Sequence, residues 1–222
     1  ESDDEQELKP IKKVATSFYL YAPRGPDGRD YSFEDKLASL EQMFGSRFWD
    51  LATRDYIDLR DDTARKGISL LLAVMYLRNP SHLKQMRALH QQMVGFLSQF
   101  PDLPDEIEIA GRGYEVDKQS WPSYRNADED DIKRMWLGEV GSATWMAEML
   151  TKMRWAILCS EEPVFITTDD PVVMMHPSLK FRGIKDAETS VIFPLSPTRV
   201  LHIDNRISEP DGQYYPLRGS AG

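Results

Sequence analysis

An uncharged and largely apolar run of ten residues, from Ile68 to Leu77, places the strongest constraint on the fold. A helix of this composition has no face that prefers water, so it belongs in the middle of a folded domain. Asp61 and Asp62 precede the run where a helix needs a cap, and Pro80 follows it where a helix cannot continue. The run is too short to cross a membrane, which takes about 20 apolar residues. The sequence therefore predicts a buried central helix.

Apolar residues recur at helical spacing on both sides of this run. The pattern predicts a helix from about residue 32, a second over 81–100, and a long third over about 128–153. Beyond Lys152 the hydrophobic period changes to that of a strand, with short β-prone runs at 155–158, 164–167, 172–175, 191–193 and 200–203. No helix-length segment separates these runs, so the pattern favours an antiparallel meander over a βαβ array.

The predicted fold class is α+β, with an N-terminal helical bundle around the buried central helix and a C-terminal antiparallel β meander. We interpret residues 11–208 as a single α+β domain. Its helical part covers 32–153, with an acidic hairpin insert at 101–127, and its sheet part covers 154–204. Residues 1–10 are predicted to be a disordered acidic lead-in, and residues 209–222 a poorly ordered tail.

The net charge of −9 is concentrated in two stretches. Five acidic residues fall within the first seven, and ten fall within 101–131 beside only three basic ones. This balance disfavours general nucleic-acid binding, although a local basic patch stays open. No signal peptide or membrane span is visible, and Cys159 is the only cysteine. We therefore expect a reducing, cytoplasmic location and no membrane partner.

Four stretches carry a family resemblance: Phe33-Glu34 through Leu40-Glu41, Tyr76-Leu-Arg-Asn-Pro80, Phe165-Ile-Thr-Thr-Asp-Asp-Pro171 and Pro194-Leu-Ser-Pro197. In order and spacing they resemble DUF4238, an uncharacterised and mainly bacterial family of unknown function. The resemblance spans about 14–204, and it implies an architecture but no settled activity. Members commonly open with a histidine–proline motif and close with a further helix, which we expect to lie outside this chain. By resemblance, the polar positions to watch are Glu34, Glu41, Arg78, Thr168 and Asp169.

These positions form the best candidate cluster: Glu34, Glu41, Arg78 and Asp169, with Asp170 beside it. Glu41 falls on the apolar stripe of its helix, so we expect it to be partly buried and to need a cation. Arg78 is its natural partner, because a guanidinium binds a carboxylate with two hydrogen bonds. Asp169 follows a β-prone run and precedes a rigid Asp-Pro step, a usual place for a functional side chain.

Two interpretations of the cluster remain open. The first is a structural ion-pair network that joins the helices to the sheet. The second is a carboxylate-centred active site, in which Asp169, Asp170 and Glu41 supply oxygen ligands to Mg²⁺ or Mn²⁺. Glu34 and Glu41 are separated by about 10 Å along a helix, so they cannot easily share one ion.

Other signals are weaker. The four histidines, His82, His90, His176 and His202, show no zinc-ligand spacing. A modest basic patch of Arg78, His82, Lys84 and Arg87 surrounds Pro80, and solvated surface is its favoured interpretation.

Two functions follow from these observations. One is a hydrolase, or a nuclease-like effector, that acts on a phosphate-containing substrate. Its catalytic residues would be Glu41, Asp169, Arg78 and Glu34, with Arg78 stabilising negative charge. The alternative is a non-catalytic module that binds a protein partner through the acidic insert and a methionine-rich helical groove.

Overall fold

The computed structural model describes residues 19–54, 56–109, 111–168, 170–178, 183–206 and 208–217. Its helices are α1 (Ser32–Thr53), α2 (Asp62–Leu77), α3 (Pro80–Leu97), α4 (Trp121–Arg125), α5 (Glu129–Gly141) and α6 (Thr144–Lys152). Its strands are β1 (Arg24–Gly25), β2 (Gly28–Arg29), β3 (Glu106–Ile109), β4 (Arg112–Glu115), β5 (Arg154–Cys159), β6 (Val173–Met175), β7 (Ser190–Ser196), β8 (Arg199–Asp204) and β9 (Gln213–Pro216). The predicted lead-in at 1–10 lies outside the described residues.

Helix α2 is the buried central helix that its composition predicts. Leu72 and Ala73 are completely buried, and buried residues extend from its first turn to Val74. The side chain of Asp61 caps the helix by accepting the Thr63 backbone N–H at 3.1 Å. One hydrophobic core includes this helix together with residues of the sheet.

Close helix packing depends on Gly67. A Cβ atom at this position would lie only 2.4 Å from the ring of Phe44 on α1, far inside van der Waals contact. The absence of a side chain at Gly67 therefore lets α1 approach the backbone of α2. Helix α2 also packs against α6.

The predicted long helix over 128–153 is divided into α5 and α6 at Ser142 and Ala143. A capping box starts α5, in which Asp128 and Asp131 accept each other's backbone N–H groups. Further along α5, the Trp136 indole N–H donates to the Leu77 carbonyl at 2.8 Å. This bond ties α5 to the end of α2.

The main sheet has the strand order β6-β7-β8-β5-β9. All its pairs are antiparallel except β5 with β9, which run parallel. Trp155 of β5 and Val191 of β7 both pair with Ile203 of β8, and all three are fully buried. The α+β class with a C-terminal, mostly antiparallel sheet is confirmed.

Two details of the prediction are wrong. The β-prone run 164–167 forms no strand, and its Ile166 is 83% exposed. Part of the predicted poorly ordered tail is strand β9, which pairs with Ala156 to Cys159 at the sheet edge. The acidic hairpin is present as β3 and β4, with Gly111 at a positive φ in its turn. Across the described ranges, no helix is both long and apolar enough to span a membrane.

The sheet carries two arginine–aspartate connections. Arg154, at the start of β5, binds Asp204 of β8 through hydrogen bonds of 2.9 and 2.6 Å. Arg65 of α2 binds Asp211 at 2.7 Å, and Asp211 also accepts the Trp155 backbone N–H at 2.8 Å. The Arg154–Asp204 bonds link two strands of the sheet, and the Arg65–Asp211 bond joins the central helix to it.

Candidate functional site

The candidate site lies at the corner where α2 ends and α3 begins. Asn79 opens α3 by accepting the Ser81 backbone N–H at 2.8 Å, and Pro80 occupies the first turn. The Tyr21 hydroxyl donates to the Arg78 carbonyl at 3.1 Å, and the Tyr21 ring stacks on Trp136 at 5.5 Å. The end of α2 is therefore held from two sides, which gives the corner a fixed geometry.

One side of the corner carries the Arg78–Glu41 ion pair. Arg78 Nη1 donates to Glu41 Oε1 at 2.9 Å, so the predicted pairing is confirmed. Glu41 is partly covered, as the sequence predicts, with 52% of its side chain exposed.

The pKa of Tyr21 shows that Glu34 lies near the Arg78–Glu41 pair. Burial raises the pKa of the Tyr21 phenol, the Arg78 charge lowers it, and the negative charges of Glu41 and Glu34 raise it further. The charges of Glu34, Glu41 and Arg78 therefore all act on the Tyr21 phenol.

The other side of the corner carries Asp170. Its backbone N–H donates to Thr168 Oγ1 at 3.1 Å, which fixes the loop, while its Oδ1 atom is buried without a hydrogen-bond partner. Within the described ranges, the other such atoms are Arg65 Nε and Ser69 Oγ. Arg65 bonds through its two remaining nitrogens and Ser69 is a neutral hydroxyl. Asp170 therefore supplies the one carboxylate oxygen in this group.

Asp170 acts electrostatically on Tyr76 and His82. Burial lowers the pKa of the His82 imidazole, and the charges of Asp170 and Glu139 only partly oppose this. Burial raises the pKa of the Tyr76 phenol, and Asp170 adds to that increase. The two rings meet edge to face, with centroids 4.6 Å apart. At neutral pH, His82 is consequently uncharged and able to accept a proton.

A cavity of about 650 Å³ opens beside these rings. Its polar lining comes from Tyr76, His82, Gln85 and Lys185. Its apolar lining includes Trp145, Met146, Met149, Met174 and Ile184. A cavity of this size, with few polar groups on an apolar wall, has the character of a small-molecule site.

With the geometry established, the family can be tested. The family described as "Protein of unknown function (DUF4238)" matches residues 1–216. The chain belongs to the DUF4238 family. No curated protein and no solved structure gives a significant match to it.

In this DUF4238 chain, the predicted site residues fall into two groups at one corner. Glu34, Glu41 and Arg78 form the first, and Asp170 with its new neighbours His82 and Tyr76 forms the second. Asp169 lies outside the described residues. The predicted basic patch is partly neutralised, because Arg78 binds Glu41 and Arg87 binds Glu129.

Sequence reasoning missed a second cluster in the DUF4238 chain. Within the described ranges, the group of histidine and carboxylate side chains that could hold a metal ion is His176, Asp186 and Glu188. Glu41 and Asp170 are not part of that group. The spacing does not match a zinc motif, and only the Asp-x-Glu pattern after His176 could have suggested it.

Proposed function

We propose that the chain is a carboxylate-centred hydrolase that acts on a phosphate-containing substrate at the corner between α2 and α3. The observation that carries the proposal is the buried Oδ1 atom of Asp170, which has no hydrogen-bond partner. A buried polar atom left unpaired costs about 1–3 kcal/mol, and more when it is charged. Such an oxygen favours a group that arrives from solution, such as a water molecule, a metal ion or a substrate hydroxyl.

His82 is the candidate general base of this hydrolase. Burial keeps its imidazole neutral, and the nearby Asp170 carboxylate favours the imidazolium that forms when His82 takes a proton from water. Tyr76 packs against the His82 ring and restricts its orientation. The roles parallel those of a base and its orienting carboxylate in nucleophilic catalysis.

Phosphate recognition would come from cations around the cavity. Lys185 lines the cavity, and Arg78 lies at the same corner with its side chain 26% exposed. Both can stabilise negative charge that develops on a phosphoryl group. On the sequence prediction, Asp169, Asp170 and Glu41 are the proposed oxygen ligands for Mg²⁺ or Mn²⁺. We propose that this activity is located in the bacterial cytoplasm, because a chain with one cysteine is typical of a reducing compartment.

Asp170→Asn tests the proposal. Hydrolysis of bis(p-nitrophenyl) phosphate and of an end-labelled single-stranded oligonucleotide should fall by about 10²–10⁴-fold, because the base loses its partner. The melting temperature should not fall, since Asp170 Oδ1 makes no hydrogen bond that the variant would remove. Asp102→Asn is the matched control, because it makes the same chemical change on an exposed loop and should leave hydrolysis unchanged.

Two results would contradict the proposal. One is a wild-type protein that hydrolyses neither probe with Mg²⁺ or Mn²⁺ present. The other is an Asp170→Asn protein that is as active as the Asp102→Asn control.

A protein-interaction module is the second candidate, and one observation favours it. The cavity wall contains Met146, Met149 and Met174 next to Trp145, which is 50% exposed. Flexible thioethers beside an exposed aromatic ring suit a groove that adapts to an apolar peptide. The exposed acidic hairpin of β3 and β4 could add a charged contact. This candidate gains if the corner binds a partner and neither phosphate probe is cleaved.

A further inference from the structure

A buried histidine and two carboxylates meet at the far edge of the sheet. His176 follows β6 and its side chain is only 4% exposed, while Asp186 and Glu188 belong to the loop before β7. One ligand atom from each of the three residues lies within 4.8 Å of the others. Three ionisable side chains therefore converge from two separate segments of the chain.

The spacing of these atoms fits a small divalent ion. His176 Nε2 lies 3.2 Å from Asp186 Oδ1 and 3.7 Å from Glu188 Oε2. Ligand atoms about 2.0–2.2 Å from a tetrahedral ion are separated by about 3.3–3.6 Å. These two separations bracket that range, and the third is within 4.8 Å, so a metal ion could enter after a modest movement of the carboxylates.

The second ring nitrogen of His176 is also suitably placed. His176 Nδ1 lies 2.7 Å from Ser178 Oγ, which can accept its hydrogen. Metal-bound histidines usually donate their other ring N–H in this way, which fixes the tautomer that binds the ion. In the opposite tautomer, the same nitrogen accepts the Ser178 backbone N–H at 3.1 Å. In that tautomer Nε2 carries the hydrogen and faces Asp186 Oδ1 at 3.2 Å, so binding an ion through Nε2 requires the ring to change tautomer.

The cluster opens onto a cavity of its own. A space of about 360 Å³ is lined by His176 and Glu188, with Asp204 and Arg206 at its wall. Met175 lines this cavity, whereas its neighbour Met174 lines the corner cavity. Successive residues of a strand point to opposite faces, so the two cavities lie on opposite sides of β6.

We propose that His176, Asp186 and Glu188 form a binding site for a divalent transition-metal ion of the zinc class. One imidazole and two carboxylates suit Zn²⁺ better than Mg²⁺ or Ca²⁺, which take oxygen ligands alone. Three protein ligands leave a fourth position open toward the cavity, as in zinc sites that bind water or a small anion. The site is independent of the hydrolase proposed at the corner.

Glu188→Gln is the decisive variant, because Glu188 is mostly exposed and its replacement should not affect folding. The full chain, without a histidine tag, is stripped with a chelator and titrated with Zn²⁺ and Mg²⁺ by calorimetry and thermal shift. Zinc should bind the wild type and raise its melting temperature, while any response to Mg²⁺ should be the same in the wild type and in Glu188→Gln. Replacing a residue that only hydrogen-bonds to a metal ligand typically weakens metal binding by about 10–100-fold. Replacing the ligand Glu188 itself should therefore weaken zinc binding by at least about 100-fold.

Two controls separate this site from others. Glu161→Gln makes the same change at an exposed position and should bind zinc like the wild type. Asp170→Asn should also bind zinc normally, so failure of the corner hydrolase leaves this result unaffected. Absence of zinc binding, or equal affinity in Glu188→Gln and Glu161→Gln, would overturn the proposal.

Discussion

A buried carboxylate has opposite surroundings in two regions of the molecule. One is the Arg154–Asp204 pair of the sheet, and the other is the Asp170–His82 group of the corner. Asp204 is 4% exposed and receives two hydrogen bonds from Arg154, which is 5% exposed. Asp170 keeps a buried oxygen with no hydrogen-bond partner, next to a neutral imidazole. In the first arrangement, the carboxylate finds its hydrogen-bond partners within the protein, and the pair stabilises the fold. The second leaves a buried acceptor without a partner, and the proposed function rests on that oxygen.

The pKa of Asp204 reflects its hydrogen bonds within the protein. Burial acts to raise the pKa, but hydrogen bonds from the Arg154 guanidinium and the Arg206 backbone N–H outweigh burial and hold it below its ordinary value. The ionised form is therefore part of the folded state. The same balance holds for Asp211, whose pKa is lowered by Arg65 and the Trp155 backbone N–H against the opposing effect of burial.

The largest expected effect is that of Asp204→Asn. The change leaves the Arg154 charge buried without its main partner, and breaking a buried pair in this way costs about 3–5 kcal/mol. The free energy of unfolding from urea titration measures the loss. Asp58→Asn, at an exposed pair with Arg60, is the control and should change little. An equally small change in both variants would mean that the sheet pair does not stabilise the fold.

Mild acidification should have a smaller effect. Burial lowers the pKa of His82 below 6.5, so the unfolded chain binds this proton more tightly than the folded one. Lowering the pH from 6.5 toward the folded pKa therefore decreases the free energy of unfolding. Burial lowers the pKa of His202 as well, so the sheet contributes to the same decline.

His82→Gln separates the two contributions. In urea titrations between pH 7 and 5, the variant should lose stability less steeply than the wild type, because the lowered pKa of His82 no longer contributes to the decline. Identical slopes in the two proteins would show that the corner does not hold His82 neutral.

The smallest expected effect is that of Glu41→Gln. The ion pair with Arg78 is half exposed to water, and such pairs contribute about 0–1 kcal/mol. Urea titration should detect a change within that range, and salt should reduce it. A loss as large as that of Asp204→Asn would place Glu41 in the same class as the sheet pair and weaken the contrast between the two regions.

Several parts of the fold could be predicted because they depend on neighbours in the chain. The uncharged run before Arg78 predicts a buried helix, and Asp61 caps it as expected. The change of period after Lys152 marks the start of the sheet. Arg78 and Glu41 could be paired in advance, since each needed a partner of opposite charge. Local periodicity and charge are sufficient for such features.

The rest depends on how distant segments meet. Tail residues join β5 as strand β9 because the path of the chain brings them to an open edge with unpaired backbone groups. Glu41 lies on an apolar stripe, yet 52% of its side chain is exposed beside Arg78. Neither outcome can be inferred from spacing along the chain.

The sequence by itself determined the α+β class, the central helix and membership of the DUF4238 family. Only the tertiary structure decided which polar groups meet: Asp170 with His82, and His176 with Asp186 and Glu188. The physical reason is that the periodic burial of a helix or strand depends on residues close together in the chain. The environment of one carboxylate depends instead on the paths of loops, which the whole packed core determines.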